Sequence, residues 1–590
     1  MLMKMLFRYM RPHRASVALC ISIKLLATIC ELLLPYILEH IIDDVAPMGD
    51  LLRVLLWGAL MFAAAIGCRQ FNVFANRLSV ENAHKVSFAV RQDLFVKTLN
   101  LSGKQFDSFG LPSLTSRMTS DSYNVQSAVQ QLQAICVRAP MMLIGGLIVT
   151  MVMEFHLSLV LICMLPLLIL VVLLVSMRGI PLYGRVQERL DAVVRIMREN
   201  ITGIRVVKAL SKTDFEKNRF AKSNNDMAQS DMLAGTVMAI PGPFIQLCLN
   251  AGLALVVIIG ARRVNAGVMR PGVILAFLTY FNMITMGVMG LSRIFMTLSK
   301  ASASASRIDA VLQTGTDLLV LPESELQQPA GDEFIRFENV GFSYGSDDDA
   351  PDASAADFAG QAREKAIDGI SFALRRGESL GIIGPTGCGK TTIINLLMRF
   401  YDADEGGIFI DGRDVRGYDK DELRRKFGVS FQNDVIFWDT LRENISFGRE
   451  LEENDLLCAA QDAMAAEFID ELDEGLDYKA SIKGANLSGG QKQRILVSRA
   501  LAASPEILVL DDSSSALDYK TDAAMRHAIA EHHSDSTLIL VAQRVSSVMG
   551  MTHILVMDNG RCVGYGSHEE LLASCPAYRD IYEIQMGSMR

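Results

Sequence analysis

The sequence predicts an all-α transmembrane domain of six helices followed by an α/β domain of the P-loop kind, and two observations predict it. Hydrophobic residues make up 50% of the 590-residue chain, and they crowd into six stretches before about residue 300. From about residue 333 the composition changes to alternating strand-like and helical pieces broken by glycine turns, with GxxxxGK[ST] set between a strand and a helix. A chain of this length exceeds what one hydrophobic core supports. The formal charge of −9 leaves no basic patch suited to nucleic acid. The ten cysteines are scattered, with no pair at zinc-ligand or redox spacing, and those in or beside apolar segments read as small core residues.

In order along the chain, residues 1–14 mix basic side chains with Met, Leu, Phe and Tyr. They read as an interfacial elbow helix along the membrane surface rather than a cleaved signal peptide, because no small-residue cleavage site follows. Spans are expected at 17–41, 52–74, 134–155, 157–177, 243–260 and 273–296, within a membrane domain of 15–310. The connections after the second and fourth spans are polar, helical in pattern and about 60 residues each, too short for separate domains. They read as spans that run far into the cytoplasm and return. Basic residues of the N-terminus and these excursions agree with that sidedness, whereas Arg262, Arg263 and Arg270 before the last span oppose it.

Few charges enter the spans. Lys24 and Glu31 are seven residues apart in the first span and share a helix face about 10 Å apart along the axis. Glu31 is a candidate contact for a polar or cationic cargo; the alternative is that Lys24 snorkels to the surface and Glu31 pairs within the bundle. Met283, Met286 and Met289 recur every three residues in the last span, a soft surface for apolar ligands if it does not simply pack.

A linker at 311–332 leads to the second domain, 333–590. There the strand ending at Ile383 runs into Gly384, Pro385, Thr386, Gly387, Cys388, Gly389, Lys390, Thr391 and Thr392, and a helix follows. The glycines let backbone N–H groups wrap phosphates, and the helix N-terminus adds a favourable dipole. Lys390 reaches the β- and γ-phosphates and Thr391 offers its hydroxyl to Mg²⁺, so ATP with Mg²⁺ is the expected cofactor pair. A second apolar strand ends in Asp511 and Asp512, carboxylates placed to orient Mg²⁺ and an attacking water. Upstream of it, Leu487, Ser488, Gly489, Gly490 and Gln491 open another helix, a second phosphate grip.

At these five residues the chain resembles the ATP-binding cassette (ABC) family, and the resemblance covers nearly the whole sequence. It implies a membrane domain of the ABC exporter type and an ATP-binding engine with a helical subdomain, lying in the cytoplasm at a bacterial inner membrane. Tyr344 would stack on adenine, and Gln432 would couple Mg²⁺ to the membrane domain. The stretches 106–121 and 199–207 resemble the family's two coupling segments. Engines of this family work as head-to-tail pairs, each ATP lying between the phosphate loop of one and the signature of the other. A second half-transporter is therefore implied as partner, beside the lipid membrane and a small-molecule, lipid or peptide cargo. A leader-peptide-cleaving exporter is disfavoured, since no peptidase-like extension precedes the first span.

Two positions depart from the family pattern. Asp512 stands where the catalytic glutamate is expected, its carboxylate drawn back by about 1.5 Å, a displacement that can slow a reaction about a hundredfold. Gln543 replaces the switch histidine and lacks its ability to handle protons. With the signature intact, the pattern resembles the degenerate-site subunit of heterodimeric multidrug exporters. The alternatives are a homodimer with two slow sites and an importer of chelated metal built on the exporter fold. An acidic insertion at 345–365 reads as a mobile, solvated loop, and Cys388 as a tolerated small residue.

Overall fold

The computed structural model describes residues 2–345, 365–432, 434–513 and 515–587. The acidic insertion lies, but for its two end residues, outside the described residues. The chain separates into two compact units: Met1–Thr98 with Pro112–Gln313, and Leu99–Leu111 with Thr314–Arg590.

The first unit is helical. Leu2–Met10 buries Leu2, Met5, Leu6 and Tyr9, an i, i+3, i+4, i+7 stripe, and Tyr9 donates to Asp93 at 2.7 Å. Among the described residues six helices are long and apolar enough to cross a membrane. Their cores are Arg14–His40, Leu51–Leu99, Ser122–Met153, Phe155–Thr202, Pro241–Asn265 and Pro271–Leu312. The second and fourth contain 49 and 48 residues. At 1.5 Å per residue each is over 70 Å long, more than twice the ~30 Å of bilayer hydrocarbon. Only Glu154, in extended conformation, separates the third span from the fourth.

Several charged side chains inside this unit are paired across helices. Lys24 does not snorkel: it is 4% exposed and donates to Asn72 at 2.8 Å and Asn76 at 3.0 Å. Both acceptors sit on the second span, so a buried ammonium is solvated by two amide oxygens instead of headgroups. Glu31 accepts two bonds from the Arg138 guanidinium, at 2.7 and 3.2 Å, which is the bundle pairing rather than an open carboxylate. Two of the three arginines that oppose the expected charge bias have carboxylate partners, Arg263 with Glu154 at 2.9 Å and Arg270 with Asp44. Met283 packs against Leu32, Ala276 and Tyr280, whereas Met286 is 62% exposed.

The second unit carries two sheets. An antiparallel one has the order β2-β1-β4-β5, from Ile367–Leu374, Ile335–Phe342, Glu405–Ile410 and Arg413–Asp414. The other has the order β10-β9-β3-β8-β7-β6, from Arg561–Gly566, His553–Asp558, Ser379–Ile383, Thr537–Val541, Ile507–Asp511 and Phe427–Ser430. All its neighbours pair in parallel except β10 with β9. Parallel strands covered on both faces need unbroken apolar sequence, and β7 is buried at all five positions. The shorter helices Leu441–Ser446, Glu453–Asp462, Ala466–Asp470 and Gly489–Leu501 pack into a shared core with Ile436, Leu476 and Leu508.

The turn after the phosphate-loop helix is held by one guanidinium. Arg399 is 1% exposed and donates to Asp402 at 2.8 Å, to the Arg416 carbonyl at 3.2 Å and to the Leu319 carbonyl at 2.6 Å. Methionine at this position fills the space but leaves those acceptors without donors. Arg399→Met is expected to destabilise the second unit by about 3 kcal/mol, read as a lowered Tm of the full chain in detergent.

Candidate nucleotide site

Four strands that are neighbours in the parallel sheet deliver the site from their carboxyl ends, where α/β sheets place ligands. β3 ends in the phosphate loop, β8 leads to Gln543, β7 ends at Asp511 with Asp512 following, and β6 leads to Gln432. These residues are remote in sequence, and the strand order brings them together.

The loop from Gly384 to Gly389 can close only on glycines. Gly387 and Gly389 have φ of +85° and +96°, and a Cβ on Gly389 would lie 2.5 Å from the Ala366 carbonyl oxygen. Gly389 then caps the helix Lys390–Leu397. The Lys390 ammonium lies across the loop, donating to the carbonyls of Gly384 and Pro385 at 2.8 and 2.7 Å. A cavity of about 290 Å³ opens above it. Tyr344, Thr386, Gly387, Gly389, Lys390, Thr391, Thr392, Gln432, Asp511, Asp512 and Gln543 all line this cavity. Cys388 does not: its side chain is buried in the core among Ile382, Ile393 and Leu555, and burial pushes the thiol up against the pull of Lys390.

The Thr391 hydroxyl donates to Asp511 Oδ2 at 3.0 Å. Burial raises the Asp511 carboxyl above the usual carboxylate range, and the neighbouring Asp512 charge adds to the rise. Asp512 is raised by burial as well, with Lys390 opposing. Asp512 Oδ2 accepts from both Gln543 Nε2, at 3.0 Å, and Gln432 Nε2, at 3.3 Å. Two carboxamides thus converge on one oxygen of the shortened side chain.

This arrangement fits a nucleoside triphosphate with Mg²⁺. Glycine-freed backbone and an ammonium suit phosphates, and two adjacent buried carboxylates beside a hydroxyl are the oxygen donors a hard divalent cation takes.

Leu487, Ser488, Gly489, Gly490 and Gln491 do not line the cavity. They open the helix Gly489–Leu501 through a capping box: Ser488 Oγ accepts from the Gln491 N–H at 3.3 Å, and Gln491 Oε1 accepts from the Ser488 N–H at 2.8 Å. Ser488 and Gly489 are exposed. One residue of this helix does reach the site: Gln493 Nε2 donates to the Asp512 carbonyl at 3.0 Å, and its Oε1 accepts from the Ala516 N–H at 3.2 Å. Sequence reading places Gln493 on this helix but gives it no role, although it falls two residues after the signature. It also missed Ala366 and Val541, which line the cavity and belong to no motif.

Residues 17–288 match the ABC transporter transmembrane region family, and residues 367–515 match the ABC transporter family. An uncharacterised ABC transporter ATP-binding protein of Mycobacterium tuberculosis is 31% identical over 99% of this chain and 98% of its own. An ATP-dependent lipid A-core flippase of Vibrio vulnificus is 30% identical over 99% of this chain and 97% of its own. A bacterial Atm1-family ABC exporter solved with ATP bound superposes with a TM-score of 0.79 at 22% identity, covering 98% of both chains. The chain belongs to the ABC transporter family, as an integral membrane half-transporter of exporter fold in a family that hydrolyses ATP to drive transport.

Proposed function

We propose that this chain is the degenerate-site half of a heterodimeric exporter for small amphipathic molecules, with its engine on the cytoplasmic side of the cell membrane. The observation that carries the reading is the state of Asp512. Its side chain is one methylene short of the usual glutamate, and both Gln543 and Gln432 donate to the same oxygen. A carboxylate so held is drawn away from where a water would be activated, and neither carboxamide can take a proton in its place.

ATP with Mg²⁺, when bound, supplies the phosphoryl group and the charge that draw the engine pair closed. Around it this chain's residues divide the work: the loop glycines and Lys390 hold phosphates, Tyr344 offers its ring to the base, and Thr391, Gln432 and Asp511 hold the metal. The exposed helix start at Ser488 is free to serve a pocket on another chain, whose own glutamate and histidine would act there. The named lipid A-core flippases among its relatives favour a lipid-like amphipath as cargo. Glu31, already paired with Arg138, offers a cationic cargo little free charge; the exposed Met286 remains a candidate lining residue.

The test is turnover of the chain purified alone. It is expected to hydrolyse ATP about a hundredfold more slowly than the complex isolated through a tag on this chain. Brisk turnover by the lone chain, unchanged in Asp512→Asn, would refute the degenerate site.

A further inference from the structure

The backbone that carries Gln543 into the nucleotide cavity is held from behind by the helix Pro576–Gly587. On leaving β8 the chain keeps one more sheet bond, from the Ala542 N–H to the Ile382 carbonyl at 3.1 Å. Beyond it Gln585 takes over. Its Nε2 donates to the Gln543 carbonyl at 2.9 Å, and its Oε1 accepts from the Val545 N–H at 2.7 Å. One carboxamide thus bonds the residues on either side of Arg544, as a residue of a parallel strand would. Val545 opens the one-turn helix Val545–Val548, and Arg544 supplies no side-chain cap to it. Gln585 therefore meets a first-turn N–H that the helix itself cannot satisfy.

The helix that brings Gln585 is itself anchored. Two turns earlier on the same face, Tyr578 is fully buried, with its hydroxyl 2.8 Å from His568 Nδ1. Arg579 donates to the Leu572 and Ala573 carbonyls at 2.9 and 3.0 Å, and Ile581 and Tyr582 pack against the core. A fixed arm thus ends on the segment whose next task is delicate. Val541, Ala542 and Val545 are buried, while the Gln543 side chain turns outward to line the cavity and to reach Asp512 at 3.0 Å. Fixing the main chain at both neighbours of Arg544 fixes the direction in which Gln543 leaves it. A shift of about 1 Å at a group that meets a reacting phosphate can cost about a hundredfold.

We propose that Gln585 is a positioning residue for the ATP-driven cycle: by clamping the main chain at Gln543 and Val545, it holds the Gln543 carboxamide where the terminal phosphate of ATP arrives. The inference rests on the reading of Gln543 as the residue that faces that phosphate. A purely structural role, tying down the Pro576–Gly587 helix, would affect every nucleotide alike. A positioning role acts on ATP and spares ADP, which lacks the phosphate concerned.

The experiment measures the affinities of the full chain in lipid nanodiscs for Mg-ATP and Mg-ADP. Gln585→Met keeps the length of the side chain and removes both hydrogen bonds. It is expected to weaken ATP binding by about tenfold while ADP binding stays within about twofold, since a hydrogen bond to a charged group is misplaced only when that group is present. Gln585→Glu keeps an acceptor for the Val545 N–H but turns an oxygen on the Gln543 carbonyl, and it should show the same split. Unchanged ADP binding in the same samples shows that the pocket is folded. Adding Gln585→Met to Gln543→Ala should change nothing further, because the two residues act as one unit. An unaltered preference for ATP in both Gln585 variants, equal weakening of the two nucleotides, or a further loss on top of Gln543→Ala overturns the proposal. A Gln543→Ala chain that keeps the full preference for ATP overturns the reading of Gln543 beneath it, and that single variant tells the two failures apart.

Discussion

Asp512→Glu combined with Gln543→His is expected to raise ATP turnover of the chain purified alone, where two copies can pair and lend each other the intact signature, by about a hundredfold, measured as phosphate release. The added methylene advances the carboxylate by about 1.5 Å, from a position where it accepts two amide bonds to one within reach of a water. The imidazole removes the Gln543 amide, one of the two donors now holding Asp512 Oδ2. It also supplies a ring nitrogen able to exchange a proton near neutral pH. Space is available, because both side chains line the same cavity of about 290 Å³. Neither single change should reach the effect of the pair, since residues acting on one reacting group are strongly non-additive. With Asp512→Glu alone, Gln543 still binds the lengthened carboxylate; with Gln543→His alone, the Asp512 carboxylate remains short. Turnover in the double variant equal to the wild type would mean that the pocket is slow for a reason outside these two residues.

What the sequence made legible follows a physical division. Spans announce themselves because each must be apolar along its own length, and the phosphate loop because strand, glycines and helix are contiguous. The signature helix is equally local, its capping box being formed by Ser488 and Gln491. Interactions between distant residues left no such trace. Lys24 looked like a residue that snorkels, and nothing near it in sequence announces Asn72 and Asn76 on the next span. Arg263 and Arg270 looked misplaced until Glu154 and Asp44 met them. Asp512 was readable as a departure from pattern, but its capture by Gln432 and Gln543 depends on β6, β7 and β8 being neighbours, an adjacency that the long stretches of chain between them do not announce.

The largest loss is expected from Gly489→Asp in the assembled transporter, at more than about a hundredfold in ATP turnover. A Cβ at Gly489 would meet only the Ala516 Cβ, at 3.6 Å, so the side chain fits. An aspartate in the first turn of a helix is favourable to folding through the helix dipole, by about 0.3–1 kcal/mol. The variant therefore assembles but presents a negative charge where an incoming triphosphate needs N–H donors. Because the signature does not line this chain's own cavity, ATP binding by the lone chain should be unchanged. Lys390→Ala is the counterpart. It empties the Lys390 position of the chain's own pocket, and in a transporter whose fast site lies elsewhere it should lower turnover by less than about tenfold. The contrast between the two variants separates the assemblies. In a homodimer every site combines a phosphate loop and a signature from the same sequence, so each change strikes both sites and both must cost more than about a hundredfold. In a heterodimer with one idle pocket they must differ, and in that order; a Lys390→Ala complex as dead as Gly489→Asp would place the busy site here.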